Sequence, residues 1–195
     1  DTGSDSGIDT DRLFVSGNTN SVHNLGIDQS FTTATTFTVS MDVDFSKIGR
    51  AFWFGIGSPA ANTGGEFAWN NADNVAFQFQ DNNNVDLFES DNTAITIESN
   101  LDPTTITSIE LEVTTASFTD GAAANYDLLV NGSSIDARSF TWTSSENYIT
   151  FGGWDYRSGE GPVYIDTLSV STIPEPGAAT LLLGVAGLLL LRRRR

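Results

Sequence analysis

Thr36-Phe-Thr-Val-Ser-Met-Asp-Val-Asp-Phe45 alternates apolar and polar residues without a fault. Successive side chains of an extended strand point to opposite faces, so Phe37, Val39, Met41, Val43 and Phe45 share one face, and Thr36, Thr38, Ser40, Asp42 and Asp44 share the other. A helix would need its apolar residues every three or four positions, and this stretch does not have them there. The period therefore predicts a half-buried strand whose apolar face must be covered by a second layer. Working outward, the same alternation recurs in Val75, Phe77 and Phe79, in Ile109, Leu111 and Val113, and in Tyr126, Leu128 and Val130. Ala51 to Ile56 is apolar on both faces, which fits a central strand covered on both sides or one lining a concave surface.

Turn-forming residues separate these runs: Asp81-Asn-Asn-Asn84, Asn131-Gly132 and Gly152-Gly153. Asn131 and Gly132 both tolerate positive φ, so Tyr126–Val130 and Ser133–Ile135 are predicted to form a hairpin closed by a tight type I′ turn. No stretch before residue 177 has the length and period of a helix. Many short strands joined by Gly and Asn turns imply an all-β fold, a two-sheet antiparallel sandwich occupying residues 1–172 as one domain. In the last strand Val163 and Ile165 share a face, and Leu168 and Val170 keep that face only if a bulge falls near Asp166-Thr167.

Residues 173–195 are of another kind. Pro174 and Pro176 have no place in a helix interior, so Pro174-Glu175-Pro176 forms an extended break. Gly177 to Leu191 then runs without a charge and would make a helix about 22 Å long at about 1.5 Å per residue. That is short of the roughly 30 Å hydrocarbon core of a bilayer. Arg192, Arg193, Arg194 and Arg195 end the chain as a cationic block able to reach a lipid surface and hold the cytoplasmic side. The expectation is a single C-terminal hydrophobic helix that tethers the chain to a membrane, rather than a helix docked on the domain.

Motif, apolar run and basic end, in that order, resemble the PEP-CTERM sorting signal of exported bacterial proteins. The resemblance implies recognition by an exosortase, a membrane-bound processing enzyme, with Pro174, Glu175 and Pro176 as recognised substrate residues. It also implies delivery to the cell surface or an extracellular matrix once the tail is removed. An uncleaved tail anchor is the alternative. The chain opens Asp1-Thr-Gly-Ser-Asp5 with neither an initiator methionine nor a signal peptide, so a longer precursor is expected.

The whole chain carries a formal charge of −16, with 9 basic and 25 acidic residues. Four of the basic residues are the terminal arginines and one acid is Glu175, so residues 1–172 carry −19. A domain this acidic repels nucleic acid and anionic lipid headgroups, leaving divalent cations and neutral or cationic glycans as partners. With no cysteine there are no disulfides, no thiolate metal ligands and no cysteine nucleophile.

Ser30-Phe31 leading into Thr36–Phe45, Tyr126-Asp-Leu-Leu-Val-Asn-Gly132, Ile149-Thr-Phe-Gly-Gly153 and Val163-Tyr-Ile-Asp-Thr-Leu-Ser-Val170 resemble successive strands of a laminin-G-like or concanavalin A-like jelly roll, over about residues 8–171. Glycoside hydrolases of the concanavalin A-like group carry a Glu-x-Asp-x-(x)-Glu strand. This chain has only the same-face pairs Asp42-Val-Asp44 and Glu110-Leu-Glu112, each without a third acid and each on the polar side of its strand. Retaining glycosidic chemistry needs two carboxyls about 5 Å apart facing a cleft. His23, the single histidine, sits in a polar segment and reads as a surface loop residue with no nucleophile motif around it. No enzyme is expected, and no catalytic residue is assigned.

Ligand binding is the stronger alternative. Sugar rings stack on exposed aromatics, and Trp154 and Tyr156 after Gly152-Gly153, with Trp53, are the candidate platforms. Asp81, Asn83 and Asp86 cluster oxygens of the kind calcium prefers, although the segment equally suits a turn that needs αL residues. The reading is an exported surface or exopolysaccharide-matrix protein whose sandwich is structural or adhesive. A calcium-assisted, lectin-like carbohydrate-binding module is the second reading, and a divergent glycan-active enzyme the third.

Overall fold

The computed structural model describes residues 6–9, 12–15, 19–24, 35–45, 51–57, 73–88, 94–143, 148–154 and 163–174. Thirteen strands run in chain order: β1 Ser6–Asp9, β2 Arg12–Val15, β3 Thr19–Asn24, β4 Thr35–Asp44, β5 Ala51–Gly57, β6 Asp73–Gln80, β7 Asn84–Phe88, β8 Ala94–Ser99, β9 Ser108–Thr115, β10 Ala123–Val130, β11 Ser133–Thr141, β12 Tyr148–Trp154 and β13 Val163–Pro174. The helical content among the described residues is one 3-10 turn, Pro103–Thr105. All pairings are antiparallel. They give a seven-stranded sheet in the order β1-β2-β13-β4-β9-β10-β11 and a six-stranded sheet in the order β3-β12-β5-β6-β7-β8.

The alternation of β4 is realised residue by residue. Phe37, Val39, Met41, Val43 and Phe45 are buried in one core between the sheets, with the apolar faces of β9 and β10 beside them. The facing layer comes from Phe52, Phe54, Phe77, Phe79 and Phe151 of the six-stranded sheet. Rings meet across the gap, Phe45 with Phe52 at 5.2 Å and Phe77 edge-on to Tyr126 at 5.3 Å. Each buried side chain of this size contributes about 1.5–3 kcal/mol by leaving water, which lets a core without disulfides hold the fold.

Two polar devices close the layers. The Asn74 amide takes the place of a strand: its Nδ2 donates to the Thr143 carbonyl at 3.2 Å and its Oδ1 accepts from the Thr143 amide at 2.8 Å, tying β6 to the end of β11. On β11, which lies at the edge of its sheet, Asp136 accepts from the Tyr126 hydroxyl and from Arg138 Nε at 3.1 Å. An inward-turned charged pair on an edge strand opposes pairing with another chain.

The predicted turn and bulge are both present. Asn131 and Gly132 have φ of 51° and 75°, as a type I′ hairpin requires. In β13 the register passes from Asp166 opposite Asp42 to Ser169 opposite Ser40, three steps against two, with Thr167 at φ 47°. The last strand continues to Pro174, opposite Thr35, and so reaches past residue 172 into the stretch read as tail. Residues 175–195, with the remainder of the motif, the apolar run and Arg192–Arg195, lie outside the described residues. Among the described residues no helix is long and apolar enough to cross a membrane.

Candidate functional site

Strand register assembles one row of side chains across the outer face of the six-stranded sheet. Trp53 stands opposite Gln78, Gln78 opposite Asp86, and Asp86 opposite Thr96. Alternation explains the direction: Phe52, Phe54, Phe77, Phe79, Val85 and Leu87 go into the core, so the residues between them face away. A register shift between Val85 and Asp86 brings Thr96, rather than its neighbour, to Asp86.

Beside the polar members of the row this face is apolar and closed. Trp53 is 3% exposed and forms a second apolar cluster with Ala76 and Phe88, its ring 4.7 Å from that of Phe88. Next along β5, Gly55 lies so close to β6 that a Cβ would meet the Val75 carbonyl oxygen at 2.5 Å. Thr150 of β12 is fully buried beside it and donates to the Gly55 carbonyl at 3.3 Å. Ala51–Gly57 is buried along its whole length, the doubly covered strand that its sequence predicts.

Next to these apolar residues the polar groups are wired together. Gln80 Nε2 donates to Gln78 Oε1 at 3.0 Å and to Asp86 Oδ2, and Thr96 Oγ1 donates to Asp86 Oδ1 at 2.7 Å. Gln78 is 5% exposed, Gln80 and Asp86 are half-buried and Thr96 is exposed. Among the described residues the Gln78 amide nitrogen and the Gln80 amide oxygen make no hydrogen bond. A carboxylate has about four acceptor positions, so Asp86 with two donors retains capacity for two more. The row thus offers an unused donor, an unused acceptor and a partly free carboxylate side by side.

The sequence-derived site residues fall as follows. Trp53 stands beside Gln78 on this face but is 3% exposed, so it does not offer a bare ring. Trp154 ends β12 opposite Ala51, and its side chain, with Trp69 and Tyr156, lies outside the described residues. Trp142 is fully buried in the core, edge-on to Phe37 and Phe118. His23, expected in a loop, is instead in β3 opposite Ile149. A short polar stretch, Thr19–Asn24, was drawn into a strand by pairing with β12, which overrides weak local propensity.

Asp81 and Asn83, named with Asp86 for calcium, fall in the turn between β6 and β7, and Asp86 falls in β7. Asn83 is the αL residue of the β6–β7 turn at φ 70°, its amide donating to the Gln80 carbonyl at 3.2 Å, and Asn82 Oδ1 accepts from the Asn84 amide at 3.1 Å. The Asn run is turn chemistry. Asp86 accepts from the Gln80 amide and from the Thr96 hydroxyl. Among the described residues no three His, Cys, Asp or Glu side chains converge as metal ligands.

Both carboxylate pairs sit on the outer face of the seven-stranded sheet. Asp42 is exposed, and Asp44 is 3.6 Å from Arg12. Arg12 Nε donates to Asp166 Oδ1 at 2.8 Å, and its guanidinium lies 4.6 Å above the Tyr164 ring. The hydrogen bond to Asp166 is the main cause of a guanidinium pKa above its ordinary value. This cluster clips β2 to β13 and β4, and its carboxylates are spent on that clip. Gln78, Gln80 and Thr96 escaped the sequence reading because isolated polar residues in alternating strands look like ordinary solvated positions.

No protein-family model matches the sequence, and no curated protein is similar enough to match it. Solved structures with a similar chain path include a legume lectin-like domain from Entamoeba histolytica, 11% identical with a TM-score of 0.49 and 86% of each chain covered. Arcelin-5, a lectin-like defence protein from Phaseolus vulgaris, is 14% identical with a TM-score of 0.46, covering 86% of this chain and 88% of that one. A galectin from Caenorhabditis elegans is 15% identical with a TM-score of 0.44, covering 85% of this chain and 99% of that one. The two-sheet antiparallel sandwich itself is read from this chain's own strand pairing.

Proposed function

We propose that residues 1–172 form a non-catalytic carbohydrate-binding sandwich, carried on an exported protein that residues 173–195 deliver to the cell surface or extracellular matrix. The observation that supports binding is the Gln78–Gln80–Asp86–Thr96 row beside Trp53, in which adjacent donors and acceptors remain unspent. Hydroxyl-rich ligands are recognised by such convergent polar groups beside apolar side chains. The exposed or salt-bridged carboxylates of the other sheet face supply no acid pair across a cleft, which favours binding over hydrolysis.

A glycan array probed with and without a chelator tests the binding. Reproducible retention that survives chelation and falls at least about tenfold in Gln78→Ala supports the reading, a tenfold loss being what one good hydrogen bond is worth. Retention of no glycan leaves a purely structural role. For delivery, the sequence order of Pro174-Glu175-Pro176, apolar run and four arginines supports processing by an exosortase. Mass spectrometry of the surface form is expected to lack Arg192–Arg195, and an intact Arg195 on mature protein would rule processing out.

A further inference from the structure

The row carries a negative charge at its centre, and we infer that the site takes uncharged glycans through neighbouring hydroxyls and turns away uronate- and sulfate-bearing ones, with Asp86 as the discriminating residue. This rests on the carbohydrate-binding reading above. A sugar hydroxyl both donates and accepts, so two adjacent hydroxyls match what is left unspent here. One donates to a free lone pair of Asp86, and the other accepts from the Gln78 amide or donates to Gln80 Oε1. The donors already on Asp86, from Gln80 and Thr96, fix the orientation of its carboxylate for that contact.

An acidic group brought to the same place meets Asp86 with, among the described residues, no cation beside it. The strands of this sheet, β3, β12, β5, β6, β7 and β8, contain no lysine or arginine, and they add Asp73 and Glu98. Among the described residues the cations are Arg12 and Arg138, both in strands of the other sheet and both paired with aspartates. Like charges in a half-buried setting are weakly screened, so the penalty falls on binding rather than being absorbed by salt. A ligand group that cannot donate also leaves the Asp86 lone pairs unmet, a mismatch that polar sites discriminate strongly.

The test uses the full chain and two panels of polymers: neutral dextran, mannan, galactan and xylan, and acidic alginate, polygalacturonate and dextran sulfate. Affinity electrophoresis is run at about 0.01 M and about 1 M salt, where the screening lengths are about 30 Å and 3 Å. The expected result is a neutral polymer retained equally at both salts, with every acidic polymer at least about a hundredfold weaker at low salt. Asp86→Asn, nearly isosteric, narrows that preference by at least about tenfold, whereas Ser139→Ala, on the other sheet and away from the row, preserves it. Acidic polymers bound at low salt as tightly as neutral ones, or a preference unchanged in Asp86→Asn, overturns the inference. Retention of no polymer from either panel overturns the carbohydrate reading itself, and the inference with it.

Discussion

The side-chain oxygen of Asn131 accepts from the Thr107 backbone amide at 2.9 Å, across 24 residues of chain. The same oxygen accepts from Ser108 N at 3.2 Å and Thr107 Oγ1 at 3.1 Å, and Asn131 Nδ2 donates to the Thr105 carbonyl at 2.9 Å. The first residue of the β10–β11 turn therefore also holds the entry to β9. Residue type, αL backbone and a long-range tie coincide at one position.

Asn131→Ala removes four hydrogen bonds and places a side chain with Cβ but no local compensation at φ 51°. A loss of about 2 kcal/mol in urea unfolding is expected, at net values of about 0.5–1 kcal/mol per partly exposed bond, with the backbone strain added. Asn131→Asp keeps the acceptor and tolerance of αL, so it should lose less than half as much. Equal losses in the two variants would show that the tie contributes nothing.

Thr167 holds φ 47° in the β13 bulge, a conformation that crowds a β-branched side chain. It is exposed, so its side chain has little packing to lose. Thr167→Asn is expected to raise the urea midpoint by an amount worth about 1 kcal/mol, and Thr167→Val, equally branched, to give no gain. A stabilisation in both would place the cause outside the backbone.

The bulge was legible because Val163 and Ile165 fall out of phase with Leu168 and Val170, and a period of two cannot absorb the step. β4, β9 and β10 were legible for the same reason: each buries one face, so composition records it. The polar row was not, because it depends on which residue of β8 meets Asp86. The register shift that selects Thr96 leaves no mark in composition. Asp86 itself drew notice, but as a calcium ligand with Asp81 and Asn83, and Asn83 also turns the chain at φ 70°. Pairing partners far apart in sequence, not local pattern, decided what these residues do.

Asp102 caps the 3-10 turn, accepting from Thr104 Oγ1 at 2.7 Å and Thr104 N at 2.9 Å. Those bonds, the side-chain one first, hold its carboxyl below the ordinary aspartate pKa of 3.8. A carboxyl lowered on folding contributes stability above its unfolded pKa and loses it as pH falls through the folded value. The stability difference between the wild type and Asp102→Ala should therefore be constant near neutrality and shrink below about pH 4, as the unfolded-state carboxyl protonates. Urea titrations at a series of pH values measure it, and a difference unchanged at low pH would mean the cap acts without its charge.

Gly55 is the position at which the candidate site and the fold depend on one atom. A Cβ there would meet Val75 O at 2.5 Å, Ala76 Cα at 2.8 Å and Ala76 Cβ at 2.9 Å, and two of these belong to backbone that the β5–β6 pairing fixes. Gly55→Ala must push β6 away from β5 at the level of Ala76, two residues before Gln78. Overpacking of this kind costs about 1–3 kcal/mol, so the variant should fold with a lowered urea midpoint. Because Gln78 and Gln80 ride on the displaced strand, glycan retention should fall at least about tenfold in material shown by circular dichroism to be folded, as small misplacements of polar groups are expensive. Ser139→Ala, on the opposite sheet with its hydroxyl bonded to Asn125 Oδ1 at 2.7 Å, gives the comparison, with a small stability loss and unchanged retention. Full retention by folded Gly55→Ala would separate the binding site from the β5–β6 contact.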